Sequence, residues 1–148
     1  MKITEALLGE HGVLYAQFDH LEQAVPRADS LAWLKAQGAL LKAAVETHAQ
    51  IEEELLFKTL EPHLGGGGPL AVMRMEHSEI EGGLSTLPDA EDVETAGHLL
   101  LRVVQVARQH FAKEEQVLFP MAEQVLGPER LADLGEQWAE WRKVSVRV

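Results

Sequence analysis

The sequence predicts an all-α protein, an up-down-up-down four-helix bundle followed by a short fifth helix at its C-terminal side. Three observations carry this. Much of the apolar content is Leu, Ala and Val and aromatics make up only 5%, with no short alternating β-branched runs, a composition that favours helix over strand. Side chains at Leu34, Leu41, Val45, His48, Glu52, Leu55 and Phe57 recur at helical spacing. The breaks are few and short, so consecutive helices must run antiparallel. The length, 148 residues, is that of one ordinary domain with a core that needs no external staples, and residues 1–148 are read as that single domain.

In chain order, the first helix is expected at about 3–24, ending before Pro26. Asp29-Ser30 caps a second at about 30–62. Gly65-Gly66-Gly67-Gly68-Pro69 is a loop, with Pro69 suited to a first helical position and a third helix at about 69–86. Pro88-Asp89 separates it from a fourth, at about 90–126, and Pro120 inside this pattern should kink it. Gly127-Pro128 starts the fifth, at about 128–143, which carries Leu131, Leu134, Trp138 and Trp141 on one face and should lie across the bundle as a short lid.

Composition excludes several chemistries. There is no cysteine, so disulfides, iron–sulfur clusters, thiolate zinc sites and cysteine nucleophiles are ruled out together, and a metal must be held by nitrogen and oxygen. The formal net charge of −11 argues against a nucleic-acid partner. No segment has the ~20 apolar residues that cross a bilayer, and Met1-Lys2-Ile3-Thr4-Glu5 does not open a signal peptide. The expected setting is cytoplasmic.

The chain also repeats itself. His48-Ala-Gln-Ile-Glu52-Glu53 with Leu56-Phe57 matches His110-Phe-Ala-Lys-Glu114-Glu115 with Leu118-Phe119 at an offset of 62, and Glu10-His11 matches Glu76-His77 at 66. The chain therefore reads as two helical hairpins, each with one His on its first helix and His-x-x-x-Glu on its second. Residues four apart share a helix face, so His48 with Glu52, and His110 with Glu114, can point at one interior site. Two carboxylates could then bridge two metals, each flanked by terminal imidazoles, with His11 and His77 completing the set. Burying two Glu without cations would be costly, and iron suits nitrogen and oxygen donors with open positions; zinc or manganese are conceivable substitutes. A ferritin-like site needs Glu-x-x-His on two helices, which this sequence lacks.

These motifs, over about residues 5–125 and including Leu118-Phe119-Pro120, resemble the hemerythrin-like, His-His-Glu cation-binding domain family. The resemblance implies two Fe ions in an oxo- or hydroxo-bridged centre, with Glu52 and Glu114 as bridges and His11, His48, His77 and His110 as terminal ligands. Oxygen-carrying members have a fifth terminal His one turn after the position of His77; here that place is Glu81. Glu81 either binds metal, hydrogen-bonds a bound water or is solvated, and the change puts reversible oxygen carriage in doubt.

Of the remaining residues, Tyr15 is a candidate donor to a bound oxygen species or ordinary core. Glu10, Glu53, Glu76 and Glu115 turn ~100° from their ligand neighbours; contact with the ligands from behind is one reading, and solvation is the favoured one. His20, His63 and His98 are read as surface residues, and Leu56, Phe57, Leu118 and Phe119 as a dry wall. The implied partner is a small molecule such as oxygen, nitric oxide or hydrogen peroxide. Three classes compete: a di-iron oxidoreductase or iron-handling protein, a sensing module for oxygen, iron or redox state, and a metal-free interaction bundle. A sensor would carry a fused output domain, and a single domain favours the first class.

Overall fold

The computed structural model describes residues 1–146. Helix α1 (Ile3–Ala24) runs into a 3-10 turn at Val25–Arg27, where Pro26 lies in the first turn. Ser30 caps α2 (Leu31–Ile51) by accepting the Trp33 N–H at 3.1 Å. After α2 come a wide turn at Glu52–Phe57 and the short α3 (Lys58–Leu64), which Gly65 ends with φ +78. Helix α4 (Gly68–Thr86) follows the glycine loop. Asp92 then caps α5 (Val93–Lys113), accepting the Thr95 N–H at 2.7 Å. A second wide turn at Glu114–Leu118 leads into α6 (Phe119–Arg142), which breaks at Gly127 (φ 76, ψ 167). The all-α bundle with a C-terminal helix is therefore as the sequence predicts. Among the described residues, no helix is long and apolar enough to cross a membrane.

The structure departs from the expected helices at the two wide turns. Each is π-helical, with backbone N–H groups reaching five residues back: Lys58 to Glu53, and Phe119 to Glu114. Each begins on the glutamate of a His-x-x-x-Glu pair. Pro120 does not explain them, because Lys58 holds the equivalent place in the first copy and the same turn forms there. The extra residue in the turn lets Glu52, Leu55, Leu56 and Phe57 all reach the interior.

Two apolar clusters fill the bundle. One gathers Leu14, Phe18, Leu34, Leu41, Ile80, Leu100 and Phe111; the other gathers Leu7, Ile51, Phe57, Leu70, Met73, Leu118 and Phe119. Each candidate histidine lies where its helix passes from one cluster to the other: His11 between Leu7 and Leu14, His77 between Met73 and Ile80. A polar layer is thus sealed between two dry ones. Helices α2 and α5 pack on each other and on both α1 and α4. The segment after Gly127 packs against the bundle, with Trp138 against the second cluster. Leu131 and Leu134 join the second cluster, while Trp141, expected on the same face, is 38% exposed.

At Gly38 a Cβ would lie 1.9 Å from Leu87 Cδ2, and Leu87 is buried at the foot of the α4–α5 connection. Gly38→Ala is therefore expected to destabilise the protein by about 1–3 kcal/mol through overpacking, measurable by urea unfolding. A neutral or stabilising result would mean that Leu87 swings clear.

Candidate metal centre

The structure brings six of the seven sequence candidates to one layer. His11 comes from α1, His48 from the last turn of α2, Glu52 from the first wide turn, His77 from α4, His110 from α5 and Glu114 from the second wide turn. Glu52, Glu114 and His110 are fully buried. Two overlapping groups result, His11–His48–Glu52–Glu114 and Glu52–His77–His110–Glu114, and in each the ligand-type atoms lie within 4.8 Å of one another, so either could hold a metal ion. Glu52 presents Oε1 toward His11 (3.7 Å) and His48, and Oε2 toward His77 (3.6 Å). Glu114 Oε1 faces His11 at 3.3 Å and His110 at 3.4 Å. Both carboxylates are shared between the groups.

Six atoms in this layer are buried with no hydrogen-bond partner: both oxygens of Glu52, both of Glu114, and Nε2 of His77 and of His110. Buried polar atoms are ordinarily satisfied, and isolated buried carboxylates are costly. Nε2 of His11 also meets Nε2 of His48 at 3.2 Å, a contact that needs a proton or a cation between two lone pairs. Without a cation, protons must compensate. Burial is the largest influence on each carboxyl and pushes it up. His48 overrides burial at Glu52, holding it well below the usual range, whereas the Glu52 charge adds to burial and drives Glu114 well above it. Burial pulls His48 down too, but Glu52 and Glu10 raise it to about 9; burial lowers His77 to about 4. Cations would replace this strained distribution of protons, so the donor set fits a pair of metal ions.

A comparison with known families now bears on the chain: the Hemerythrin HHE cation binding domain matches residues 2–88, more than half of its length. The chain belongs to this hemerythrin family. No curated protein and no solved structure matches it. The matched region holds His11, His48, Glu52, His77 and Glu81. His110 and Glu114 lie beyond it and are supported by the internal repeat and by the geometry.

Glu81 does not join either group of this hemerythrin centre. It lines, with His48, His77 and His110, a cavity of about 10 Å³, room for about one water. Burial and then Glu46 raise its carboxyl above the ordinary range.

The flanking glutamates correct the expectation of solvation. Glu10 Oε1 accepts from His48 Nδ1 at 2.6 Å, and its Oε2 accepts from Trp138 Nε1 and Arg142 Nε, both at 2.7 Å. Glu76 accepts from His110 Nδ1 (3.2 Å) and Lys113 (2.5 Å). Glu115 accepts from His11 Nδ1 (2.8 Å) and the Tyr15 hydroxyl (2.6 Å). A residue turned from its own helix's site meets the outer nitrogen of a histidine on a neighbouring helix, which reasoning along one helix could not see. Each contact fixes a proton on Nδ1 and leaves Nε2 facing inward. The available signal was the recurrence of Glu beside every ligand pair. Only Glu53 is diverted, to Arg74 at 2.8 and 3.1 Å. Phe57 stacks on His77 (5.4 Å) and Phe119 on His11 (5.6 Å), so the expected dry wall forms across the two halves. His20, His63 and His98 are exposed as expected.

Glu10→Gln is expected to weaken metal affinity about 10–100-fold, read by competition with a chromogenic chelator; unchanged affinity would leave Glu10 without this role. It also removes an acid limb from the metal-free protein. Burial pushes the Glu10 carboxyl up, but His48, Arg142 and Trp138 outweigh it and hold it at about 2. Its stabilisation is present above the ordinary value of 4.5 and lost as pH falls toward 2. Acid unfolding of the metal-free variant should flatten in that window.

Proposed function

We propose that this is a non-haem di-iron protein that binds or reacts with a small molecule such as oxygen, nitric oxide or hydrogen peroxide. In this reading His11 and His48 hold one iron, His77 and His110 the other, and Glu52 and Glu114 bridge them; zinc or manganese would be substitutes. The observation that supports it best is the set of six unpartnered buried atoms beside a cavity of about 10 Å³, which suits cations and a ligand of very few atoms rather than an organic substrate.

Two irons would supply paired one-electron redox centres with an open position for a ligand. The chain's own part is to hold and shield them. Glu10, Glu76 and Glu115 keep three imidazoles in one tautomer and orientation. The apolar clusters on either side exclude bulk water from the layer, which strengthens every electrostatic interaction inside it. Glu81 offers the cavity a hydrogen-bonding carboxyl at the place where a fifth histidine stands in oxygen carriers, which favours reaction or transient binding over reversible carriage.

Metal analysis after aerobic loading with ferrous iron tests the reading. The expected result is about two irons per chain with near-ultraviolet ferric absorption, as two shared-ligand groups require. A chain that retains no iron under these conditions would overturn it. Adding peroxide to the loaded protein and following oxygen release then separates turnover from binding.

A further inference from the structure

What stands behind the inward-facing histidines differs between the two groups. His11 Nδ1 lies 2.8 Å from Glu115 Oε2, and the same oxygen accepts the Tyr15 hydroxyl at 2.6 Å. His48 Nδ1 lies 2.6 Å from Glu10 Oε1, and Glu10 Oε2 accepts the Trp138 indole N–H at 2.7 Å. Behind His110, Glu76 ends on the Lys113 ammonium instead. On His77 stacks the Phe57 ring, which has no exchangeable proton. Both histidines of the His11–His48 group therefore lead, through one carboxylate each, to an oxidisable aromatic side chain. Those of the other group lead to an ammonium and a phenyl ring.

Tyrosine and tryptophan are the aromatic side chains that give up an electron together with a proton. Their oxidation is eased by a base already hydrogen-bonded to the departing proton. The Tyr15 phenol and the Trp138 indole are donors, and each has a carboxylate in that place. The same carboxylate bonds the outer nitrogen of a candidate ligand, so each line from ring to imidazole crosses two hydrogen bonds. Both rings are half-buried and lie close to the surface. The partly exposed Arg108 guanidinium covers Tyr15 at 5.7 Å from its centroid. Trp141, 38% exposed, follows Trp138 by one helical turn. The sequence has one tyrosine and three tryptophans; the third, Trp33, packs against the first apolar cluster in the opening turn of α2.

Resting on the di-iron reading above, we propose that Tyr15 and Trp138 are one-electron donors to the centre, drawn on when hydrogen peroxide arrives after the ferrous electrons are spent. Tyr15 gives one electron, and its phenolic proton moves to Glu115 Oε2. Trp138 gives one electron, and its indole proton moves to Glu10 Oε2. One phenol, one indole and one peroxide then yield a phenoxyl radical, an indolyl radical and two waters. The O–O bond of the peroxide breaks, both rings are oxidised, and atoms and electrons balance. Oxidation thereby falls on two half-buried rings rather than on the buried imidazoles of His11 and His48.

Hydrogen peroxide is the probe, added to the chain loaded with ferric iron and, as a redox-inert control, with zinc. Samples frozen soon after mixing are read by electron paramagnetic resonance, and the remainder is digested and its oxidised residues located by mass spectrometry, with iron content measured in parallel. Organic radical signals are expected from the iron-loaded chain and not from the zinc-loaded one. Ring-deuterated tyrosine should narrow one component, which the single tyrosine assigns to Tyr15. Tyr15→Phe should lose that component and Trp138→Phe the other; each keeps an aromatic ring in place and removes only the donor. Stable oxidation products should collect at Tyr15 and Trp138 and spare Trp33, and this mapping on the unmodified chain decides the matter even where a variant fails to fold or to hold iron. An iron-loaded chain without organic radicals and without oxidation at these two rings, or oxidation spread equally over Trp33, Trp138 and Trp141, would overturn the proposal and leave the di-iron reading standing. A chain that takes up no iron would remove that reading and this proposal with it.

Discussion

Chelating the metal is expected to lower the melting temperature by about 15–30 °C. The figure follows from linkage. A cation present at a thousand times its dissociation constant stabilises the folded chain by about 4 kcal/mol; two do so twice, and a domain of this size shifts by about 2–4 °C per kcal/mol. The structural source is the sealed layer itself, where Glu52 and Glu114 are fully buried side by side and their four oxygens lack hydrogen-bond partners. Scanning calorimetry before chelation, after it and after re-addition of metal would show the shift and its reversal. An unchanged melting temperature after verified removal would remove the cations from any structural role.

Glu114→Gln should move stability in opposite directions in the two states. In the loaded protein it takes one charge from both metal groups at once, since Glu114 belongs to each, so metal affinity and the metal-dependent stability should fall together. In the metal-free protein the same change should stabilise by about 1–3 kcal/mol at neutral pH, because a neutral amide of nearly the same shape replaces an acid held beside a buried carboxylate. The pH dependence identifies the cause. Burial and the Glu52 charge raise the Glu114 carboxyl well above its ordinary value of 4.5. The folded chain therefore holds a proton that the unfolded chain loses above that pH, and metal-free stability falls as pH rises from there. The variant's advantage should vanish below 4.5 and grow above it. An equal gain at acid and neutral pH would point to packing instead.

Much of this was legible in the sequence because both signals were periodic. Helical spacing placed the long helices, and Ser30, the Gly65–Gly68 run and Gly127 marked the breaks. The repeat of His and Glu named the six side chains that converge. What the sequence hid depends on relations between helices. The wide turns at Glu52 and Glu114 leave no proline or glycine as a marker, since Lys58 and Pro120 occupy the same place in the two copies. The outer carboxylates act across helices, so their angle on their own helix misled. Glu81 shares a face with His77 as spacing requires, yet it lines the cavity outside both groups.

The exchange of partners between the halves also bears on how the protein is made. Glu115 and Phe119 serve His11, Phe57 serves His77, and Trp138 and Arg142 near the end of the described chain hold Glu10 against His48. A chain still emerging from the ribosome with only its first hairpin has one histidine pair, one carboxylate and none of these clasps. It offers a stray ion no closed cage. Both four-residue groups include Glu114, so neither can close before the second hairpin has folded onto the first.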